Sequence, residues 1–263
     1  MKRLNIGRIK QVGSRECESC GKEVPIMERT DIHGNTEQVS TCLNCETDKT
    51  KSRFPKAEDL IKEKARGFSV KYERIPKKLQ GKTVSEFKPE TDSEKEMRLA
   101  VAEFIRDFGK TKHHSLVLKG PMGLGKSHLG VAAGSALRKQ GYSTMFISSD
   151  EFLSLIKSTY DKETDLSEKT IFEMIEEIDL LIFDEIGAEY SNRKNSFETW
   201  ASEKIYKVTD LRENLPTIYT TNYSAGEMEE KYGHVQGGRI VSRMLAGAKR
   251  IQVEGQDRRE VEV

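Results

Sequence analysis

The stretch GPMGLGKS, residues 120–127, decides the fold. Gly120, Gly125, Lys126 and Ser127 fill the defining positions of G-x-x-x-x-G-K-[S/T]; Pro121, Met122, Gly123 and Leu124 lie between them, and His128 follows. Before the loop, SLVLKG (115–120) is a short apolar run ending in glycine, which reads as a buried parallel strand. After it, HLGVAAGSALRKQ (128–140) reads as a helix stopped by Gly141. In this strand–loop–helix setting the glycines let the backbone wrap phosphates, with N–H groups aimed at anionic oxygens. Lys126 is placed to reach the β- and γ-phosphates, and Ser127 to offer its hydroxyl to Mg²⁺.

Further runs of the same kind follow. TMFIS (144–148), DLLIFDE (179–185), PTIYTTN (216–222) and RIQVEG (250–255) read as strands. Helices are expected after Ser149, around Ile171, Phe172, Ile175 and Ile178, over 197–214 and over 237–245. Strands alternating with helices predict an α/β fold, a parallel sheet covered by helices on both faces. Asp184 ends an apolar run at a strand C-terminus, where ligands of such sheets bind, and is the expected Mg²⁺ carboxylate beside the Ser127 hydroxyl. Glu185, next to it, is the candidate to polarise a water for attack on the γ-phosphate. No N-K-x-D guanine-reading motif occurs, which favours ATP. Asn222 ends the fourth strand; it orients the water, senses the γ-phosphate, or is a turn residue.

The net charge is +1, with 35% hydrophobic and 33% charged residues, the composition of a soluble protein with a modest core. No apolar run approaches the roughly 18–20 residues of a membrane helix, and the N-terminus lacks the apolar stretch of a secretory signal. A cytoplasmic location and no membrane partner are therefore expected. The small net charge hides an asymmetry, +7 over residues 1–82 against −6 over the remainder. Texture divides the chain into residues 1–50, a Lys/Glu-dense linker with a short helix over 51–82, and the regular segment 83–263.

All four cysteines lie in the first segment, as CESC (17–20) and CLNC (42–45). In a reducing compartment two C-x₂-C pairs 21 residues apart have close to zinc-ribbon spacing, so Cys17, Cys20, Cys42 and Cys45 are the expected ligands of a closed structural Zn²⁺ site. About fifty residues with few large apolar side chains can scarcely build a core, and metal binding would supply the folding energy. Redox-active pairs are the other reading, and nothing around CESC looks like a thioredoxin strand-to-helix turn. Lys2, Arg3, Arg8 and Lys10 leave direct nucleic-acid binding open for this basic segment.

From about residue 72 onward the chain resembles the bacterial and phage helicase loaders of the DnaC and DnaI type, AAA+ ATPases related to the IstB transposition helpers. The resemblance is carried by IPKKLQGKTVSEF (75–87), GPMGLGKSHL (120–129), LLIFDEIG (180–187), LRENLPTIYTTN (211–222), GGRIVSRM (237–244) and GQDRR (255–259) in that order. It implies an ATPase that acts as an assembly switch and delivers a hexameric replicative helicase of the DnaB type onto single-stranded DNA. It also implies self-association through an arginine finger acting in trans, placed at Arg243 with Arg239 as the other arginine of its block. Gly238 stands where the family has Glu, so the block is imperfect. A nucleotide-contacting arginine within one subunit falls at Arg259, beside Arg258. Fewer than ten residues follow the last predicted strand, so no C-terminal lid domain is expected. The cysteine-bearing front resembles the zinc-binding, helicase-docking domain of the DnaI group. An IstB-like helper binding duplex DNA, and a zinc-held binding module with a degenerate ATP site, are the alternatives.

Overall fold

The computed structural model describes residues 9–31, 34–51, 56–161, 164–189 and 195–257. The chain divides into two compact units, Met1–Leu60 and Ile61–Val263.

In the first unit, β1 (Ile9–Glu16), β2 (Glu23–Thr30) and β3 (Thr36–Val39) form an antiparallel sheet in that order, followed by α1 (Leu43–Lys51). These strands were not expected. Every described residue of β1 and β3 is exposed, so no buried face imposes the alternation by which a half-buried strand is recognised. Among the described residues the buried apolar cluster here comprises Cys17, Val24 and Cys42.

The helix α2 (Ala57–Tyr72) runs past the division between the units. It is longer than the short linker helix expected, and its Ala65 and Phe68 are buried in the core of the second unit. There follow a 3-10 turn (Lys77–Leu79), α3 (Asp92–Arg106), β4 (Ser115–Lys119), α4 (Lys126–Lys139), β5 (Thr144–Ser148), α5 (Ser149–Ser158), α6 (Glu168–Glu177), β6 (Leu180–Ile186), α7 (Asn195–Leu211), β7 (Thr217–Thr221), α8 (Ala225–Tyr232), α9 (His234–Leu245) and β8 (Ala248–Gln252). The helices α3 and α8 were not foreseen. Each is opened by a capping box, from Thr91 to Glu94 and from Ser224 to Glu227, which satisfies N-terminal N–H groups reciprocally.

The five strands are parallel, in the order β5-β6-β7-β4-β8. Successive side chains of a strand point to opposite faces, and β6 shows why its run is apolar throughout. Leu180 and Ile182 join one core with Met97, Val101, Leu129 and Leu137 of α3 and α4. Leu181 and Phe183 join the other with Phe152, Ile156, Ile171 and Ile205 of α5, α6 and α7. The exposed edge of β5 is closed by the segment after α2. There the Glu73 carboxylate accepts from the Phe146 N–H at 3.0 Å, and the Arg74 N–H donates to the Phe146 carbonyl at 3.3 Å.

The helices α8 and α9 cross so closely that a Cβ on Gly237 would lie 2.5 Å from the Cα of Glu229 and 2.6 Å from the Met228 carbonyl oxygen. Both obstacles are backbone. Gly237→Ala is therefore expected to lower the unfolding free energy by about 1–2 kcal/mol, although alanine is the better helix former by roughly 1 kcal/mol. Gly226→Ala on α8, where a Cβ meets nothing within 4 Å, is expected to raise it by about 0.5 kcal/mol. Urea denaturation of the two variants beside the parent checks both signs.

Candidate nucleotide site and metal centre

The sheet order makes β6, β7 and β4 consecutive neighbours. Three segments distant in sequence therefore open side by side at the strand C-termini: the glycine-rich loop after β4, Asp184-Glu185 in β6, and Asn222 after β7.

The loop ends in Gly125, the N-cap of α4, at φ +77°. This left-handed backbone suits glycine, and a Cβ there would also strike the Phe87 ring at 2.3 Å. Leu124 is buried beneath the loop and Met122 is exposed above it. The ammonium of Lys126, 6% exposed, donates to the Gly120 carbonyl (2.7 Å), the Pro121 carbonyl (2.6 Å) and Oδ1 of Asn222 (2.9 Å). Asn222 is thus joined directly to the loop lysine. His128 turns the other way: Nε2 lies 3.0 Å from the Thr83 carbonyl, and its ring meets Phe87 edge-on. Near the C-terminus, Asp257 lies against Gly123, and Arg259 falls outside the described residues.

Asp184 is the electrostatic centre. Its Oδ1 accepts from Ser127 Oγ at 2.9 Å and from Thr220 Oγ1 at 2.6 Å. Burial pushes the carboxyl up to about 6; the two hydroxyls pull it down, and neighbouring Glu185 pushes it up further. Thr220 also accepts the Glu185 N–H at 2.9 Å. That bond falls at an irregularity in the β6–β7 register between Phe183 and Ile186, where Glu185 adopts φ +55°. A non-glycine residue in this conformation is uncommon, and such bulges re-aim side chains beside active sites. Glu185 is left exposed one residue after a buried aspartate. The role of Thr220 was missed; only strand pairing brings it to residues 36 positions earlier.

Arg243 on α9 pairs within its own chain, with Asp210 through Nε at 2.8 Å and with Glu213 through Nη1 at 2.7 Å. Its charge is reinforced by Tyr206 and by Glu213. Arg239 is exposed, its guanidinium carbon 5.9 Å from the centre of the Tyr206 ring.

In the first unit Cys17 and Cys20 occupy the turn between β1 and β2, closed by Gly21 N–H donating to the Cys17 carbonyl at 2.8 Å. Cys42 precedes α1, and Cys45 sits in its first turn. The sulfurs of Cys17 and Cys45, and those of Cys20 and Cys42, are 3.6 Å apart, and all four lie within 4.8 Å of one another. A tetrahedron of sulfurs about zinc at about 2.3 Å has edges of about 3.8 Å, so the cluster fits that ion. N–H groups of Ser19 and Cys20 draw the Cys17 thiol down to about 6, toward the thiolate a metal requires. Hydrogen bonds among the crowded thiols of Cys20, Cys17 and Cys42 push Cys45 up to about 12.

These features define the protein as a P-loop nucleotide-binding protein built on a parallel sheet. Residues 58–262 match the family described as IstB-like ATP binding protein, and the chain belongs to that family. It is similar to the replicative helicase loader DnaI of Bacillus subtilis (strain 168), 28% identical over 171 residues that cover 60% of this chain and 52% of the relative. It is also similar to the replicative helicase loader DnaC of Escherichia coli (strain K12), 28% identical over 135 residues, 51% of each. The chain thus spans about half the length of these relatives. A crystal structure of DnaI superposes with a TM-score of 0.57 at 22% identity, over 70% of this chain and 94% of that one, and so shares the fold.

A buried carboxyl titrating near 6 costs the folded protein stability as pH rises. Below about 4 it is protonated in both folded and unfolded chains; between about 4 and 6 only the unfolded chain loses its proton, and the full cost of about 3 kcal/mol remains above that window. Asp184→Asn is therefore expected to stabilise the nucleotide-free protein at pH 8 by up to that amount and by almost nothing at pH 4. Denaturation at the two pH values checks it.

Proposed function

We propose that this protein is an ATP-dependent loader that delivers a hexameric replicative helicase onto single-stranded DNA, working in the cytoplasm with no membrane partner. The observation that carries the reading is the coupling of Lys126, Asn222, Asp184 and Thr220 into one site, in a chain whose sequence relatives are named replicative helicase loaders. The four clustered cysteines support it, in a compact unit of their own suited to hold a partner.

In this reading ATP lies along the loop of residues 120–128, and its phosphates replace the neutral oxygens that Lys126 now contacts. Ser127 and Asp184 hold Mg²⁺, which supplies positive charge to the phosphate oxygens. Thr220 turns Asp184 toward Ser127 and, through the Glu185 N–H, aims Glu185 outward. Glu185 takes the proton of a water whose oxygen bonds to the γ-phosphorus as the bond to the ADP oxygen breaks. Asn222 reports the γ-phosphate to Lys126, and Arg259 contacts the nucleotide from the same subunit.

Arg243 acts on a neighbouring subunit, so self-association completes the site. To do so it exchanges its pairs with Asp210 and Glu213; partly exposed pairs of this kind are worth roughly 0–1 kcal/mol each, so the exchange is affordable to a forming interface. Cys17, Cys20, Cys42 and Cys45 bind zinc and fold the helicase-docking module, over residues 1–50, joined through 51–82 to the ATPase of 83–263.

Lys126→Ala is expected to weaken ATP binding at least tenfold, whereas Glu185→Gln should retain binding and lower turnover by about 10²–10⁴-fold, trapping ATP-bound assemblies. Equilibrium binding of a fluorescent ATP analogue and steady-state phosphate release separate the two. Native mass measurement with the replicative helicase of the same cell tests the wider reading. A stoichiometric complex lost on zinc chelation, with ATPase activity retained, is expected. No complex in any nucleotide state, with turnover stimulated by duplex DNA, would instead identify a transposition helper.

A further inference from the structure

Beyond the residues just assigned, one buried carboxylate stands against the catalytic turn. Glu189 is 3% exposed, four residues after Glu185. Its Oε2 accepts from the Gly187 N–H at 3.0 Å and from Ser149 Oγ at 2.9 Å, and its Oε1 accepts from the Tyr232 hydroxyl. Its own carbonyl accepts from Lys231 Nζ at 2.7 Å. Three donors on one carboxylate satisfy its charge without solvent. Burial and the adjacent Glu189 charge hold the Tyr232 hydroxyl well above its ordinary range, so it keeps its proton and donates.

What these donors belong to gives the cluster its meaning. Gly187, at φ +94°, and Glu185, at φ +55°, are the two left-handed residues of the turn that follows Asp184. Within it the Glu185 carbonyl accepts from the Ala188 N–H at 2.9 Å and from Ser149 Oγ at 3.0 Å. Ser149 has one hydroxyl hydrogen within reach of both the Glu185 carbonyl and the Glu189 carboxylate. Strained backbone of this kind persists only where its surroundings over-determine it. Tyr232 and Lys231 end α8, which packs directly on α9, the helix of Arg239 and Arg243.

We propose that Glu189 is a positioning residue for ATP hydrolysis: its carboxylate clasps the turn that aims Glu185 and ties that turn to the end of α8. The proposal rests on the reading of Glu185 as the group that activates water. Loosening the clasp leaves the phosphate loop and Asp184 in place and lets the Glu185 side chain wander from the attacking water. ATP binding is therefore spared and turnover falls.

Four variants of the full chain test this: Glu189→Gln, Tyr232→Phe, Glu185→Gln and the double variant Glu189→Gln/Glu185→Gln. Gln turns an NH₂ toward a donor whichever way it is placed, and Tyr232→Phe removes one donor while keeping the ring. Glu189→Gln is expected to lower kcat about tenfold or more with the Kd for ATP within about twofold, and Tyr232→Phe to lower kcat about threefold or more, likewise without loss of binding. The double variant is expected to turn over no more slowly than Glu185→Gln alone, because residues that act through one another are not additive. Unchanged kcat in both Glu189→Gln and Tyr232→Phe would overturn the proposal, as would binding and turnover falling together or a further multiplicative loss in the double variant. If Glu185→Gln itself turned over normally, the reading of Glu185 would fail first, whatever Glu189→Gln did.

Discussion

Three strands lying side by side, β6, β7 and β4, are the constraint on which the rest of the second unit depends. The phosphate loop is local in sequence, but its lysine is held by Asn222 beyond β7 and its serine by Asp184 in β6. Thr220, on the strand between, bonds both the aspartate side chain and the Glu185 backbone. One threonine thus ties together two neighbouring acidic residues, the buried carboxylate of Asp184 and the backbone of exposed Glu185. The apolar run of β6 and the threonine-rich β7 are buried because helices cover both faces, and that burial fixes where the polar ends of the two strands emerge.

The same burial raises the Asp184 carboxyl and charges the folded chain for keeping an anion in a low-dielectric place. A protein selected for stability alone would put an amide or an apolar side chain there. The strained turn at Glu185 is a second cost at the same spot, and both lie where sheets of this kind bind ligands. Two such costs within adjacent residues mark the site independently of the glycine-rich loop.

Much of this was legible in the sequence where the signal is local. GPMGLGKS and its flanks carry strand, loop and helix within a few residues of one another, and the apolar run before Asp184 announces a buried strand. Long-range partners carry no such signal. Thr220 reads as one more threonine of β7, and Glu189 as one more charged residue after β6, until sheet pairing and the α8–α9 corner bring Asp184, Ser149 and Tyr232 to them. The strands β1 and β3 of the first unit were hidden for the opposite reason: their side chains are all exposed, so no period-2 pattern survives.

The small number of buried side chains among the described residues bears on what can hold the first unit together. Among the described residues of the first unit, Val24 and two thiols form the buried cluster, little apolar surface to set against the entropy of ordering a chain. The hairpin turn and the start of α1 are brought together where the four sulfurs meet, so a single ion there would join the two segments. A metal-bound centre leaves the outer face of the sheet unconstrained by packing. Its exposed Ile9, Val12, Val39 and, on α1, Leu43 are then free to be chosen for contact rather than for folding. With a metal site as its buried centre, the unit would leave these apolar side chains exposed rather than consumed by its own packing.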